Sequence, residues 1–302
     1  MLKIYQQISS AQKLYLAVIF SILGSFFVIA ISASAKYMSS EFDTLEIVFQ
    51  RSLICLILLI TIFILFGRLD LIKTKKPWLH ISRSLTGFIS ISIIFKAYSL
   101  LPMAETSSIL FLSPMIATIL SILFLKEKVG MKRIIAISIG FIGVITIVSP
   151  STENLLLEGV IYALLGSFTI ALVKVQVRNM GKTESSLTTI FYFMIICTVI
   201  SGIYSFAFSD ITSNFNNIST DIYYAIAICG VTTILSQIFR TEALKLGKVS
   251  IVTPIEYSSI IWATLAGWMI WNDIPPITTF IGTLLIIGAN IYIIYRERKL
   301  KK

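Results

Sequence analysis

Six side chains with chemical capacity interrupt otherwise apolar stretches of this sequence: Arg51, Lys96, Tyr98, Glu256, Tyr257 and Trp262. An ionised group in an apolar medium costs on the order of 3 kcal/mol on membrane-insertion scales, so a charge in such a place is a candidate for function. Glu256 is the sharpest of them. Its short side chain cannot reach far for water, which leaves pairing with a basic group, protonation through desolvation, or contact with a wet cavity. The first is structural; the others suit a bound substrate or a travelling proton. Arg51 offers a planar guanidinium able to hold a carboxylate or phosphate bidentately, with Lys96 as a second positive point. Both also have stems long enough to snorkel towards an interface, as do Lys36 and Lys174 nearer the ends of their runs. Tyr98, Tyr257 and Trp262, with Trp268, present aromatic faces for a cationic ligand or for helix packing.

Catalytic constellations are missing from the sequence. It has no HExxH, no pair of intramembrane aspartates, no Ser/His pair and no phosphate-cradling GxxxxGK[ST] loop. His80 is the only histidine, and Cys55, Cys197 and Cys229 lie in apolar stretches without CxxC spacing, so they read as packing residues. Neither an enzyme nor a cofactor or metal site is expected.

The elements that must position these groups follow from composition. The 302 residues are 56% hydrophobic and 13% charged, with a mean hydropathy of +0.90. An ordinary soluble domain carries about 25% charged residues, so the expected solvent is a lipid bilayer. Apolar runs long enough to cross one cover 14–35, 45–66, 79–101, 104–125, 133–148, 158–177, 186–208, 222–244, 249–271 and 276–295. Their unbroken apolarity predicts helices, since barrel strands would alternate. The expected fold class is an all-α membrane protein of ten transmembrane helices.

Charge placement tests that count. Lys and Arg gather before the first run and in every second connection, as in Arg68, Lys73, Lys75 and Lys76 with Arg83, in Lys126, Lys128, Lys132 and Arg133, or in Arg240, Lys245 and Lys248, and again after the last run. The alternate connections carry Glu41, Asp43, Glu105, Glu153, Asp210 and Asp273 instead. By the positive-inside rule both termini are cytoplasmic. The net charge of +10 is thereby accounted for without nucleic acid. Oligomeric state is not legible.

Segment 113–127 can be laid on 259–273: each passes from a small-residue helix into a short acidic turn and then another apolar helix. A duplication would make 14–148 and 158–295 two five-helix repeats, and an odd helix number inverts the second in the membrane. Inverted repeats are a transporter architecture with a midplane site between the halves. Pro114 and Pro254 would bend the fourth and ninth helices and free a carbonyl, as a packing kink or a gate. Ser107, Ser108 and Ser113, with Thr253, Ser258 and Ser259, give those two helices small polar faces.

Several motifs in order resemble the EamA-type branch of the drug/metabolite transporter superfamily. They are Arg51, Arg83 with Gly87, the stretch 98–106 (YSLLPMAET), Leu112-Ser113-Pro114, Leu125-Lys126-Glu127, the stretch 140–144 (GFIGV), the stretch 253–257 (TPIEY), Gly267-Trp268, the stretch 272–275 (NDIP) and the stretch 295–298 (YRER). The resemblance spans nearly the whole chain. It implies two inverted five-helix repeats and secondary transport of a small organic metabolite across a bacterial inner membrane by alternating access. The pattern is similar to S-adenosylmethionine transporters of that family, which carry a basic residue where this chain has Glu256. Cations at Arg51 and Lys96 with an acid at Glu256 suit a zwitterion, such as an amino acid or an amino-acid-bearing metabolite, with protons as candidate coupling ions. An exporter of amino acids or toxic metabolites is the alternative within the family, and a channel the rival outside it.

Overall fold

The computed structural model describes residues 10–74, 76–116, 119–120, 131–147, 156–180, 185–209, 219–246 and 255–300. Within them run ten α-helices: α1 (Ser10–Met38), α2 (Thr44–Leu65), α3 (Pro77–Leu100), α4 (Met103–Leu110), α5 (Met131–Ile147), α6 (Leu157–Met180), α7 (Ser186–Ala207), α8 (Thr220–Leu246), α9 (Ser259–Trp271) and α10 (Ile277–Leu300). No strand occurs among the described residues. Six helices, α1, α2, α3, α6, α7 and α8, are long and apolar enough to cross a membrane by themselves. Large apolar side chains such as Phe206, Met269 and Leu284 point away from the protein, as a lipid solvent permits.

Local chemistry marks the helix ends. Proline starts α3 at Pro77, where a missing N–H costs nothing. The Glu46 carboxylate reaches back to the Asp43 N–H at 2.7 Å and closes the first turn of α2. At the end of α9, Asn272 adopts a left-handed φ of 57°. Its N–H then bonds to the Trp268 carbonyl, the bond of a left-handed helix cap, and that of Asp273 bonds to the Gly267 carbonyl, which brings Asp273 back over the helix end.

Both helices with small polar faces are interrupted. The α4 helix ends at Leu110, turns through Phe111 and Leu112, and resumes with Ser113 to Ile116. Pro114 has no N–H to give the Leu110 carbonyl, and its ring crowds that position. The Asn290 side chain of α10 donates to the Phe111 carbonyl at 2.9 Å. In the ninth run, where Pro254 is expected to bend the helix, Ile255 is helical, Glu256–Ser258 form a tighter 3₁₀ turn, and regular α-helix resumes at Ser259. Glu256 therefore stands at a break in the helical path. Pro254 lies outside the described residues.

The helix pairings reveal the symmetry. The α1 helix packs on α8 and α6 on α3; α2 touches α8 while α7 touches α3; α1 meets α9 while α6 meets α4. Across the centre α2 packs on α7, α4 on α9 and α5 on α10. Each pairing survives exchange of a helix with the one five places later, as a two-fold axis between five-helix repeats requires. Residues at matching places meet on that axis. Extending the overlay of Ser113 on Ser259 by two positions makes Phe111 the counterpart of Tyr257, and these rings lie edge to face at 4.9 Å. The α5/α10 crossing is closer still: a Cβ added to Gly143 would lie 2.7 Å from the Gly282 carbonyl oxygen.

Candidate functional site

Ion pairs and unpartnered polar groups fall into three places. The first surrounds Glu256. Its Oε1 is 3.1 Å from Arg240 Nη2 of α8, and Lys174 of α6 lies within electrostatic reach of both. Lys174 also donates to Ser113 of α4 at 3.4 Å. Arg240 crosses α1 where Gly24 leaves room, since a Cβ there would lie 2.7 Å from Arg240 Cγ. Helices of both repeats thus converge on this pair, while the Glu256 side chain keeps 27% and Arg240 40% of its surface uncovered. The neighbours that the described residues supply are Gly24 of α1, Lys174 of α6 and Ser113 beyond the turn that ends α4.

Three residues that follow Glu256 in the chain carry groups whose hydrogen-bonding capacity is unused. Tyr257 Oη, Ser258 Oγ and Trp262 Nε1 are each buried without a partner. Trp262 packs edge-on against Phe26 of α1 at 5.4 Å. The Tyr98 hydroxyl, by contrast, is engaged by Ser107 Oγ at 2.9 Å. A partly open ion pair followed in the chain by two hydroxyls and an indole N–H with unused capacity offers groups for a ligand carrying both charge and polar edges.

The second place is the end of the bundle where α1, α3 and α9 finish. Lys36 Nζ donates to the Leu101 carbonyl at 2.9 Å, lies 3.6 Å from Asp273 Oδ2 and sits 4.9 Å over the Trp271 ring. Glu105 is buried beneath and accepts from Thr279 at 2.9 Å. An open cleft of about 480 Å³ begins here, lined by Lys36, Tyr37, Glu41, Ser99, Ser219 and Trp271 among others.

The third place is the α2/α3/α7 contact. Arg51 and Arg83 are both buried, and their guanidinium carbons lie 6.0 and 4.3 Å from the centre of the Phe193 ring.

Of the residues singled out from the sequence, Tyr257 meets Phe111 beside Glu256, and Trp262 packs in one apolar cluster with Tyr98, Met103 and Leu110. Arg51 is in a separate place. Lys96 is half-buried and has no ion-pair partner among the described residues, and Trp268 points outward. Sequence reading missed Arg240 and Arg83 because both were counted with the basic connections. The available signal was that Arg240 falls inside the apolar run 222–244 and Arg83 inside 79–101. Lys36 and Lys174, expected to snorkel, are instead held by Leu101 with Asp273 and by Ser113.

The chain matches the EamA-like transporter family twice, at residues 15–149 and 157–295. It is 25% identical over 285 residues to a protein of Rickettsia bellii named S-adenosylmethionine uptake transporter, covering 92% of this chain and 94% of that one. It is 26% identical over 276 residues to the pseudopaline exporter of Pseudomonas aeruginosa, covering 91% and 94%. A riboflavin transporter of Vibrio cholerae is 23% identical over 272 residues, covering 89% of each chain. One solved crystal structure superimposes with a TM-score of 0.64 over 97% of this chain and 100% of its own, at 15% identity, a likeness of fold alone. Helix pairings exchanged by a two-fold axis, a charge cluster drawn from both halves, and a family match on each half agree: this chain is a multi-pass membrane transporter and belongs to the EamA-like transporter family.

Proposed function

We propose that the protein is a secondary transporter of a bacterial inner membrane that carries a small zwitterionic metabolite by alternating access, with 14–148 and 158–295 as its two repeats and both termini in the cytoplasm. The observation that carries this reading is the Glu256–Arg240 pair with Lys174 beside it, at the meeting of helices from both repeats. A carboxylate held by a cation can exchange that partner for a substrate ammonium or sulfonium, and Tyr257 and Trp262 supply aromatic faces for it. Arg51 and Lys96 are cations available to the substrate's anionic group, and the breaks at Pro114 and before Ser259 are the places where α4 and α9 can bend. Relatives named for uptake and for export leave the direction open, and the substrate class takes its support from S-adenosylmethionine, an amino-acid-bearing zwitterion, in the name of one relative.

Counterflow in proteoliposomes tests it. Vesicles loaded with unlabelled S-adenosylmethionine, methionine or another amino acid receive trace label outside. Transient accumulation absent from protein-free vesicles and from Glu256→Gln is the expected result, and a pH gradient should alter it if protons are coupled. Flux that never saturates, without counterflow, identifies a channel and overturns the reading.

A further inference from the structure

Arg51 of α2 and Arg83 of α3 are 3% and 8% exposed, and no acidic side chain pairs with either among the described residues. Nε and Nη2 of Arg51, and Nε and Nη1 of Arg83, are buried without a hydrogen-bond partner. What they have is aromatic: Arg83 lies 4.3 Å over the Phe193 ring, and Arg51 lies between Phe193 at 6.0 Å and Phe95 at 5.6 Å. Ring faces offset part of a guanidinium's desolvation but satisfy none of its N–H groups. Gly87 lets Phe193 and Arg83 pack this closely. A Cβ there would lie 2.8 Å from the Phe193 ring and 3.3 Å from Arg83 Nη1.

Two buried forks with unused donors, sharing one ring and lacking a counter-charge, are complementary to an anion with several acceptor oxygens. We infer that Arg51 and Arg83 form a two-pronged oxyanion site that takes the carboxylate or phosphate group of the transported metabolite. The inference rests on the transporter reading and replaces Lys96 by Arg83 as the second cation. Phe193 orients both forks from the opposite repeat, so opening of the α2/α7 contact exposes the donors and closure buries the bound anion with them. Cys197, within electrostatic reach of both arginines, lies on the same helix as Phe193.

The test separates the site from transport. The purified full chain in detergent is titrated with inorganic phosphate and with succinate at constant ionic strength set by chloride, and its apparent Tm is followed. In the wild type both oxyanions raise Tm. Arg51→Lys and Arg83→Lys keep the charge but lose the fork, and shift the midpoint concentration up by at least about tenfold. Gln at either position abolishes the response, and the Lys variants carry the test if the Gln variants do not fold. No rise in the wild type, or a rise unchanged in the Lys variants, overturns the site.

A second arm compares counterflow of S-adenosylmethionine with that of its carboxyl methyl ester. Loss of the ester's counterflow assigns the oxyanion to the substrate. Equal counterflow of both, with the phosphate response intact, assigns it to a free anion and overturns the substrate half of the inference. Failure of every counterflow probe while the Tm response persists counts against the transporter reading for those probes and leaves the anion site standing.

Discussion

Arg51 and Phe193 hold the same position in two helices of equal length, α2 and α7, and meet across the pseudo-two-fold axis with the guanidinium carbon 6.0 Å from the ring centre. Two arginines at these matching positions would repel, whereas an arginine facing a phenylalanine makes a cation–π contact. Cys55 and Cys197, which also hold matching positions, are both buried thiols and pack without conflict. Phe193→Leu removes the ring beneath both guanidiniums and should lower stability by about 2 kcal/mol, read as a fall in apparent Tm. Phe193→Tyr keeps the ring face and should recover most of it.

Glu256 and Arg240 should behave as a unit. Removing one partner leaves the other charge without its counterpart, so Glu256→Gln or Arg240→Gln is expected to reduce uptake at least about tenfold. Folding, judged by monodisperse elution in detergent, should survive because both side chains are partly uncovered. The double variant should regain the stability lost in either single variant without regaining transport. Recovery of uptake in the double variant would assign the pair a structural role only.

The α5/α10 crossing tolerates no side chain at Gly143. A Cβ would meet the Gly282 carbonyl oxygen at 2.7 Å and Ile286 Cγ1 at 2.8 Å, and a backbone oxygen cannot rotate away. Gly143→Ala should therefore destabilise by about 1–3 kcal/mol. Gly288→Ala is the control, because nothing lies within 4 Å of a Cβ built there. Thermal unfolding of the two variants side by side reads the difference.

Lys36 ties three elements together through Leu101, Asp273 and Trp271. Asp273 is 36% exposed, so the ion pair itself contributes about 1 kcal/mol or less. Lys36→Met should cost more than Asp273→Asn, because only the former also abandons the hydrogen bond to the Leu101 carbonyl. A double-mutant cycle on apparent stability should show coupling of roughly 0.5–1 kcal/mol. Equal effects of the two single variants would reject this ordering.

The helix number and fold class were legible because hydropathy and charge alternation are written along the chain. Each crossing must supply its own apolar length, and each connection its own charge. Glu256 was legible as an ionisable group in an apolar run. Its partner was not. Arg240 was grouped with a basic connection although it lies within α8, because nearness to a helix end says nothing of whether a side chain turns towards the interface or the bundle. Arg83 was set aside in the same way. Lys36 and Lys174 have stems that permit snorkelling, yet each found an acceptor inside the protein. A bend in the ninth helix was legible in Pro254, but composition does not register a 3₁₀ turn at Glu256–Ser258.

By itself the amino-acid sequence determined the solvent of this protein, its ten crossings and its inverted duplication, since these depend on quantities that accumulate residue by residue. The tertiary structure alone decided which charges meet: Glu256 with Arg240, Lys36 with Asp273, and Arg51 with Arg83 around one ring. Those meetings depend on the rotation of each helix about its axis and on the crossing of helices distant in sequence. Packing of whole helix faces sets that rotation, and no single residue carries it.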